Sequence, residues 1–282
     1  MSTRTEHPAE QIRTAWDALA PGFDRHTTPH TMRYGEQILD GTAIGPGTRF
    51  LDVGAGSGAL ALPAARRGAR VVAVDIAPAM VERLAARARE EGLDHVRALV
   101  MDGEHLDLED DAFDVSASLN GVSLFPDLER GLAEMVRVTR PDGTVLVAAF
   151  GSPRDAEFIA WTLGALRAAV PGFAGMPADP PPLPFRLADP NRFSAVLREA
   201  GLVEGDVHRT VTDTFFASAA EVLDTVRSSH PLGAQWITGL TGSQAAEVRR
   251  ILEGMLRERS GGAPGAVLHT ALNIGTGRPP AP

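Results

Sequence analysis

Between residues 49 and 150, short and nearly continuous apolar runs alternate with longer stretches whose apolar residues recur at helical spacing. The runs RFLDV (49–53), RVVAVD (70–75), VRALVM (96–101), FDVSASL (113–119) and TVLVAAF (144–150) predict five strands buried on both faces. Between them, SGALALPAARRG, PAMVERLAARAREEG and DLERGLAEMVRVTR predict helices. In the second of these Pro78 suits a first helical turn and Gly92 a stop. Strands alternating with helices of this length predict βαβ units and a doubly wound, mostly parallel sheet, an α/β fold.

The flanks carry a different rhythm. Residues 8–20 and 29–40 predict two N-terminal helices joined through PGFDRHTT, and 155–169 predicts a further helix. The proline-dense stretch 170–190 reads as a loop crossing a surface. A helix at 191–200 and a strand near 202–209 follow, then a mostly helical segment at 211–262 with its longest helix at 243–259. A last strand at 266–277 brings the sheet to seven. The expected division is an N-terminal helical lid (1–42), an α/β core (43–150), an insertion and return to the core (151–210), a helical lid (211–262), and a last strand with its tail (263–282). Lids of this kind would roof the sheet's C-terminal edge, where open α/β sheets bind ligands.

Composition narrows the function. With 36 acidic and 27 basic residues the net charge is −9, which disfavours a nucleic-acid partner. The chain has no cysteine, which removes disulfides, thiolate metal sites and cysteine nucleophiles. No apolar run approaches membrane-spanning length and the N-terminus has no signal-like apolar region, so the cytoplasm is the expected compartment.

The stretch LDVGAGSG places Gly54, Gly56 and Gly58 between the first strand and the next helix, where a tight turn lets backbone approach a ligand. The same spacing, with Ala59 last, satisfies a dinucleotide-binding pattern, so the glycines alone leave the ligand open. Asp52, two residues before the first glycine, is expected close to the ligand's tail, where it would repel a pyrophosphate and attract a cation. Its blander role would be to cap the helix. Asp75 closes the second strand and can accept from both hydroxyls of a ribose. Asp102 follows the third strand, where it can accept from an exocyclic amine or simply hold a turn.

Taken together, LDVGAGSG, VDIAPAM, MDGEHL and RVTRPDGTVLV resemble the class I S-adenosylmethionine-dependent methyltransferases, in the branch that acts on small molecules and whose sheet domain is like that of the quinone C-methyltransferases. The resemblance covers about a third of the chain, residues 49–150. It implies S-adenosylmethionine as cofactor, with Asp52 and the glycine loop on its methionine part, Asp75 on the ribose and Asp102 on the adenine amine. It further implies that Ile76 and Met80 flank the adenine, that Gly103 and Glu104 run along its edge with Asn120 nearby, and that the last strand is antiparallel. The quinone branch's N-terminal signature is not matched by GFDRHTTPHTMRYGEQIL, and SLNGVSLFPD lacks the Asn-Pro-Pro-Tyr type motif of enzymes that modify bases or amides. The expected acceptor is therefore a small metabolite, methylated at O, N or C. The arginine-only basic complement and the Ala, Gly and Pro richness suggest a GC-rich bacterial source and secondary metabolism.

Methyl transfer needs alignment and exclusion of water above all, and a base only where the nucleophile holds a proton. His30 and Tyr34, four residues apart, are the candidate catalytic pair, with His26 on the same face. His26 and His30 have half a metal site's spacing, but Pro29 lies between them and no third ligand is evident, so no metal is expected. Phe23, Phe125, His230 and Trp236 are the candidate acceptor-binding residues, and Trp16, Trp161, Phe215 and Phe216 are further candidate walls. Residues 8–20 and 243–259 would serve a homodimer interface as readily as a lid. Two other readings stand beside this one: a protein of the same fold that binds S-adenosylmethionine without methylating, and a nicotinamide-dependent oxidoreductase, for which no Tyr-x-x-x-Lys pair exists.

Overall fold

The computed structural model describes residues 8–177 and 179–281. Helix α1 (Pro8–Gly22) passes through a five-residue π turn (Phe23–Thr27) into α2 (Thr28–Leu39). The core then runs β1 (Arg49–Val53), α3 (Ala61–Arg66), β2 (Arg70–Asp75), α4 (Pro78–Glu90), β3 (Val96–Val100), β4 (Phe113–Leu119), α5 (Leu128–Val138) and β5 (Thr139–Phe150). After it come α6 (Glu157–Ala169), α7 (Pro190–Glu199), β6 (Val203–Phe216), α8 (Ala219–Ser229), α9 (Pro231–Thr238), α10 (Gly242–Arg259) and β7 (Ala266–Arg278).

The seven strands form one sheet in the order β3-β2-β1-β4-β5-β7-β6. Strands β1 to β5 pair in parallel, and β7 is antiparallel to both β5 and β6. Strand order reverses between β1 and β4, so the loops after these strands part there and open a crevice. The runs of β1, β2, β4 and β5 are largely buried on both faces, whereas β3, at the sheet's edge, is only half-buried and leaves Val100 exposed. Phe50, Val71 and Ala73 pack with Tyr34, Ile38 and Leu60 on one side. Leu51, Val53 and Val145 pack with Leu132, Met135 and Phe193 on the other. A third cluster joins α6, α8 and α10 through Phe158, Leu166, Val222, Val226 and Leu252. No helix among the described residues is long and apolar enough to cross a membrane.

Two boundaries differ from the sequence expectation, each for a physical reason. Strand β6 continues to Phe216, through residues assigned by pattern to a helical lid. Its inward positions Thr212 and Thr214 are polar, while Val211 and Phe215 face solvent, so the usual alternation is inverted. The inward hydroxyls are satisfied across the fold: Thr212 donates to Gln37 Oε1 at 2.6 Å, and Thr214 lies against the Tyr34 hydroxyl at 3.5 Å. Strand β5 begins at Thr139 because that residue pairs with Phe113, after which an irregularity skips to the Val115–Thr144 pair.

The N-terminal arm is seated tightly on the core. At Gly35 of α2, any Cβ would collide with the carbonyl oxygen of Ala59 in the glycine-rich segment, so helix and loop touch backbone to backbone. The Asp17 carboxylate accepts the Ala79 N–H at 2.9 Å, clipping α1 to the start of α4.

Candidate functional site

A cavity of about 280 Å³ opens at the C-terminal edge of the sheet, and the ends of all five parallel strands contribute to it. Its floor begins with Gly54 and Gly56. The N–H groups of Gly54 and Ala55 donate to the Val74 carbonyl at 2.9 and 3.0 Å, which pins the loop across β2. Both glycines have positive φ, 68° and 52°, a conformation costly for other residues. Behind Gly54 lies Gly121, where a Cβ would come within 2.6 Å of the Val53 carbonyl oxygen, so the loops after β1 and β4 pass each other with no room for side chains. Ser118 stitches the same place by donating to Val53 O at 2.6 Å and accepting from Val122 N–H at 2.9 Å.

Asp75 is the electrostatic centre of the floor. Its Oδ2 accepts the Gly56 N–H at 2.8 Å and its Oδ1 accepts the Ala77 N–H at 2.9 Å. Burial nevertheless holds its carboxyl above the ordinary aspartate range. Each oxygen keeps a lone pair for a ligand hydroxyl. Ile76 and Met80 line the cavity beside it. After β3, Asp102 accepts the Glu104 N–H at 2.9 Å through Oδ1, and Asp102, Gly103 and Glu104 line the next part of the wall. Asn120, with φ of 55°, turns the chain after β4; its N–H donates to Ala148 O at 2.7 Å and its Oδ1 accepts from Phe150 N–H at 3.0 Å.

Above the floor the walls become apolar. Phe125 stands in a slot that exists because residues 103 and 131 are glycine; a Cβ at either would strike its ring. Arg186 holds this loop in place by donating from Nη2 to the carbonyls of Val122 and Phe125. Trp16, Phe23, His230 and Trp236 complete the chamber. The Trp16 ring sits edge-on to Phe23 and to His230, with centroids 6.1 and 5.8 Å away. The π turn brings Phe23 and Thr27 of the arm to this wall, followed by Thr31 of α2. A local irregularity of this kind often marks a functional surface.

Several expectations need correction. Asp52 does not border the cavity: it is buried beneath the loop, where its Oδ2 accepts the Ala61 N–H at 2.9 Å and so satisfies the first turn of α3. The repulsion argument against a pyrophosphate therefore loses its direct form. Burial, reinforced by the nearby Asp75, pushes the Asp52 carboxyl up to about 7. Gly58 also lies off the cavity, turned toward Leu62 and Leu84. His30 and Tyr34 share a face, but it is not the cavity face. The His30 ring packs 5.1 Å from Phe216, and the buried Tyr34 hydroxyl lies between Thr214 and Thr270 at 3.5 and 3.4 Å. Of the further wall candidates, Trp161 lies under Arg259 at 5.0 Å, Phe215 is exposed, and Phe216 is core, stacked on Phe158.

Sequence reasoning missed Thr27, Phe150, Ile159, Phe185 and Leu232, all of which line the cavity, and the Arg186 clamp. Phe150 had a signal, since it ends a predicted strand. The others come from excursions whose docking no local pattern records.

Residues 51–147 match the family described as Methyltransferase domain. Over 278 residues the chain is 32% identical to nocamycin O-methyltransferase of Saccharothrix syringae, a match covering 94% of this chain and 98% of that one. The chain belongs to the class I S-adenosylmethionine-dependent methyltransferases. An uncharacterized protein of Mycobacterium tuberculosis is 41% identical over 111 residues, a match that spans 39% of this chain and only 40% of the relative. Among solved structures the [4+2]-cyclase SpnF shares the fold, with a TM-score of 0.59, 18% identity and 97% of each chain covered. The methyltransferase fold and its cofactor, S-adenosylmethionine, agree with the donor set. A backbone cradle without side chains, a buried carboxylate with lone pairs to spare, and an apolar slot at Ile76 and Met80 fit an amino-acid tail, a ribose and a base in turn.

Proposed function

We propose that the protein transfers the methyl group of S-adenosylmethionine to an oxygen atom of a small, largely apolar metabolite. One observation carries this reading: a single cavity runs from the glycine loop, Asp75 and Asp102 to the aromatic chamber under the helical arm. The end-to-end likeness to an O-methyltransferase supports oxygen as the accepting atom. The net charge of −9 fits a small acceptor better than a polyanion, and the GC-rich composition fits secondary metabolism.

When bound, the cofactor supplies a methyl carbon already activated by its sulfonium. The chain's part is to bind, orient and keep water away. Asp75 takes the ribose hydroxyls and Asp102 the adenine amine. Ile76 and Met80 flank the ring, with Gly103 and Glu104 along its edge. The backbone of Gly54 and Gly56 meets the methionine part. Phe23, Phe125 and Trp236 hold the acceptor against this floor, and alignment in a dry chamber supplies most of the rate.

The test is calorimetric titration with S-adenosylhomocysteine, with NADH in parallel, on the wild type and Asp75→Ala. Micromolar binding of the thioether that collapses in the variant, with no heat from NADH, supports the reading. NADH binding without thioether binding would replace it with the oxidoreductase.

A further inference from the structure

Among the described residues, the aromatic chamber holds one imidazole, His230, and its hydrogen bonding determines what it can do. His230 is the N-cap of α9, and its Nδ1 accepts the Leu232 N–H at 3.1 Å. A ring nitrogen that accepts an N–H holds no proton, so in the uncharged ring the proton sits on Nε2. The positive end of α9 opposes a second proton, and burial acts in the same direction, drawing the group down to about 4. Among the described residues the bond at Nδ1 is the ring's only hydrogen bond, so Nε2–H remains for a ligand. The other titratable groups on the cavity wall, Asp75, Asp102, Glu104 and His105, lie at the ends of β2 and β3 on the floor. Thr27 adds a second observation: its side chain lines the chamber with only 6% exposure, and its hydroxyl has no partner. An orphan hydroxyl in a buried wall is costly unless a ligand satisfies it.

We propose that His230 is a fixed hydrogen-bond donor to the accepting oxygen rather than a general base, with Thr27 a second donor on the wall of the same cavity, and that the acceptor is an apolar molecule whose oxygen is already ionised: a carboxylic acid or an enol of similar acidity. This rests on the methyltransferase reading above. Two neutral donors in an apolar chamber stabilise an oxyanion, whereas an alcohol or ordinary phenol would need a proton acceptor, and among the described residues the other titratable groups of the cavity lie on its floor, at the ends of β2 and β3. The step balances without one. The oxyanion's lone pair forms the new O–CH3 bond, the C–S bond breaks with its electrons going to sulfur, and the opposite charges cancel as a neutral ester or enol ether and the thioether form. His230 and Thr27 are positioning residues, holding the oxygen in line.

The experiment has two arms, neither depending on turnover. Nitrogen-15 NMR of the protein, with the His230 signal identified by its absence in His230→Asn, reads the tautomer directly. We expect the Nε2–H form, unchanged from pH 5.5 to pH 8; titration of this ring within that range, or an Nδ1–H form, overturns the proposal. The second arm compares binding of naphthalene-2-carboxylate and naphthalene-2-carboxamide to the protein loaded with S-adenosylhomocysteine. The carboxylate should bind at least about tenfold tighter, as a hydrogen bond to a charged group allows. His230→Asn keeps the helix cap but not the reach and should abolish the preference; His230→Gln should retain most of it, and Thr27→Val should lose part. Equal binding of the two probes, or a preference untouched in His230→Asn, overturns the proposal. Failure of S-adenosylhomocysteine to bind at all would instead sink the methyltransferase reading, while the NMR arm on the free protein still decides the role of His230.

Discussion

The carboxylate of Asp75 accepts the backbone N–H of Gly56 at 2.8 Å, so the residue proposed to hold the ribose also holds the loop beside it. Asp75→Ala removes both functions together. Hydrogen bonds to a charged group contribute about 1.5–3 kcal/mol each, so S-adenosylhomocysteine affinity should fall by roughly a hundredfold or more. Calorimetry reads this directly, and Asp75→Asn, which keeps one acceptor, should fall between the two. An affinity within threefold of wild type would remove Asp75 from the site.

Asp52 gives the ligand-free protein a pH-dependent stability of defined sign. Burial raises its carboxyl from the ordinary 3.8 to about 7, so the folded chain keeps a proton there that the unfolded chain releases. Stability from this group therefore declines as pH rises through the window between those values, and levels off above it. Asp52→Asn can still accept the Ala61 N–H and does not titrate. Its Tm relative to wild type should climb between pH 5 and pH 8 in scanning calorimetry. His30 and His230, whose burial lowers them, contribute to both proteins alike, so the difference reports Asp52 together with its coupling to the buried Asp75. A constant difference would mean that the carboxyl titrates normally.

Gly121→Ala tests the backbone crossing between the loops after β1 and β4. The new Cβ would stand 2.6 Å from Val53 O and 2.7 Å from Ser118 Oγ, neither of which can retreat without breaking the stitch between the loops. Overpacking of this kind costs about 1–3 kcal/mol. We expect a lower midpoint in urea and weakened cofactor binding; a variant indistinguishable from wild type in both would show that the loops are not in contact.

Tyr34→Phe and His30→Leu separate the arm's structural face from the cavity. The Tyr34 hydroxyl makes two long hydrogen bonds, to Thr214 and Thr270, and its loss should cost about 1 kcal/mol or less. Both variants should bind S-adenosylhomocysteine within twofold of wild type and, with a substrate in hand, keep kcat. A large loss of kcat in either would restore a catalytic role.

How far the molecule is legible from its sequence depends on how local each feature is. Strands β1, β2 and β4 begin and end where their apolar runs do, because a strand covered by helices on both faces is apolar throughout. The floor of the cavity is equally local: Asp75 ends a readable strand, and Gly54 and Asp102 come just after one. The end of β6 was hidden, since its inward residues are threonines whose partners lie on α2, some 175 positions away. His30 and Tyr34 illustrate the same limit. Spacing placed them on one face of a helix, but nothing nearby says which face looks into the chamber. The roof, where Trp16 meets His230, is a contact between residues more than two hundred positions apart, and its composition is visible only once the chain has closed on itself.

The arm that forms part of that roof is clipped to the core at Asp17–Ala79 and to α8 where the Thr225 hydroxyl donates to the His26 carbonyl at 3.2 Å. The glycine loop lies underneath it, against the sheet. Under the proposed reaction, whatever occupies the floor is covered by whatever occupies the chamber, so the donor is expected to enter before the acceptor and the spent donor to leave after the product.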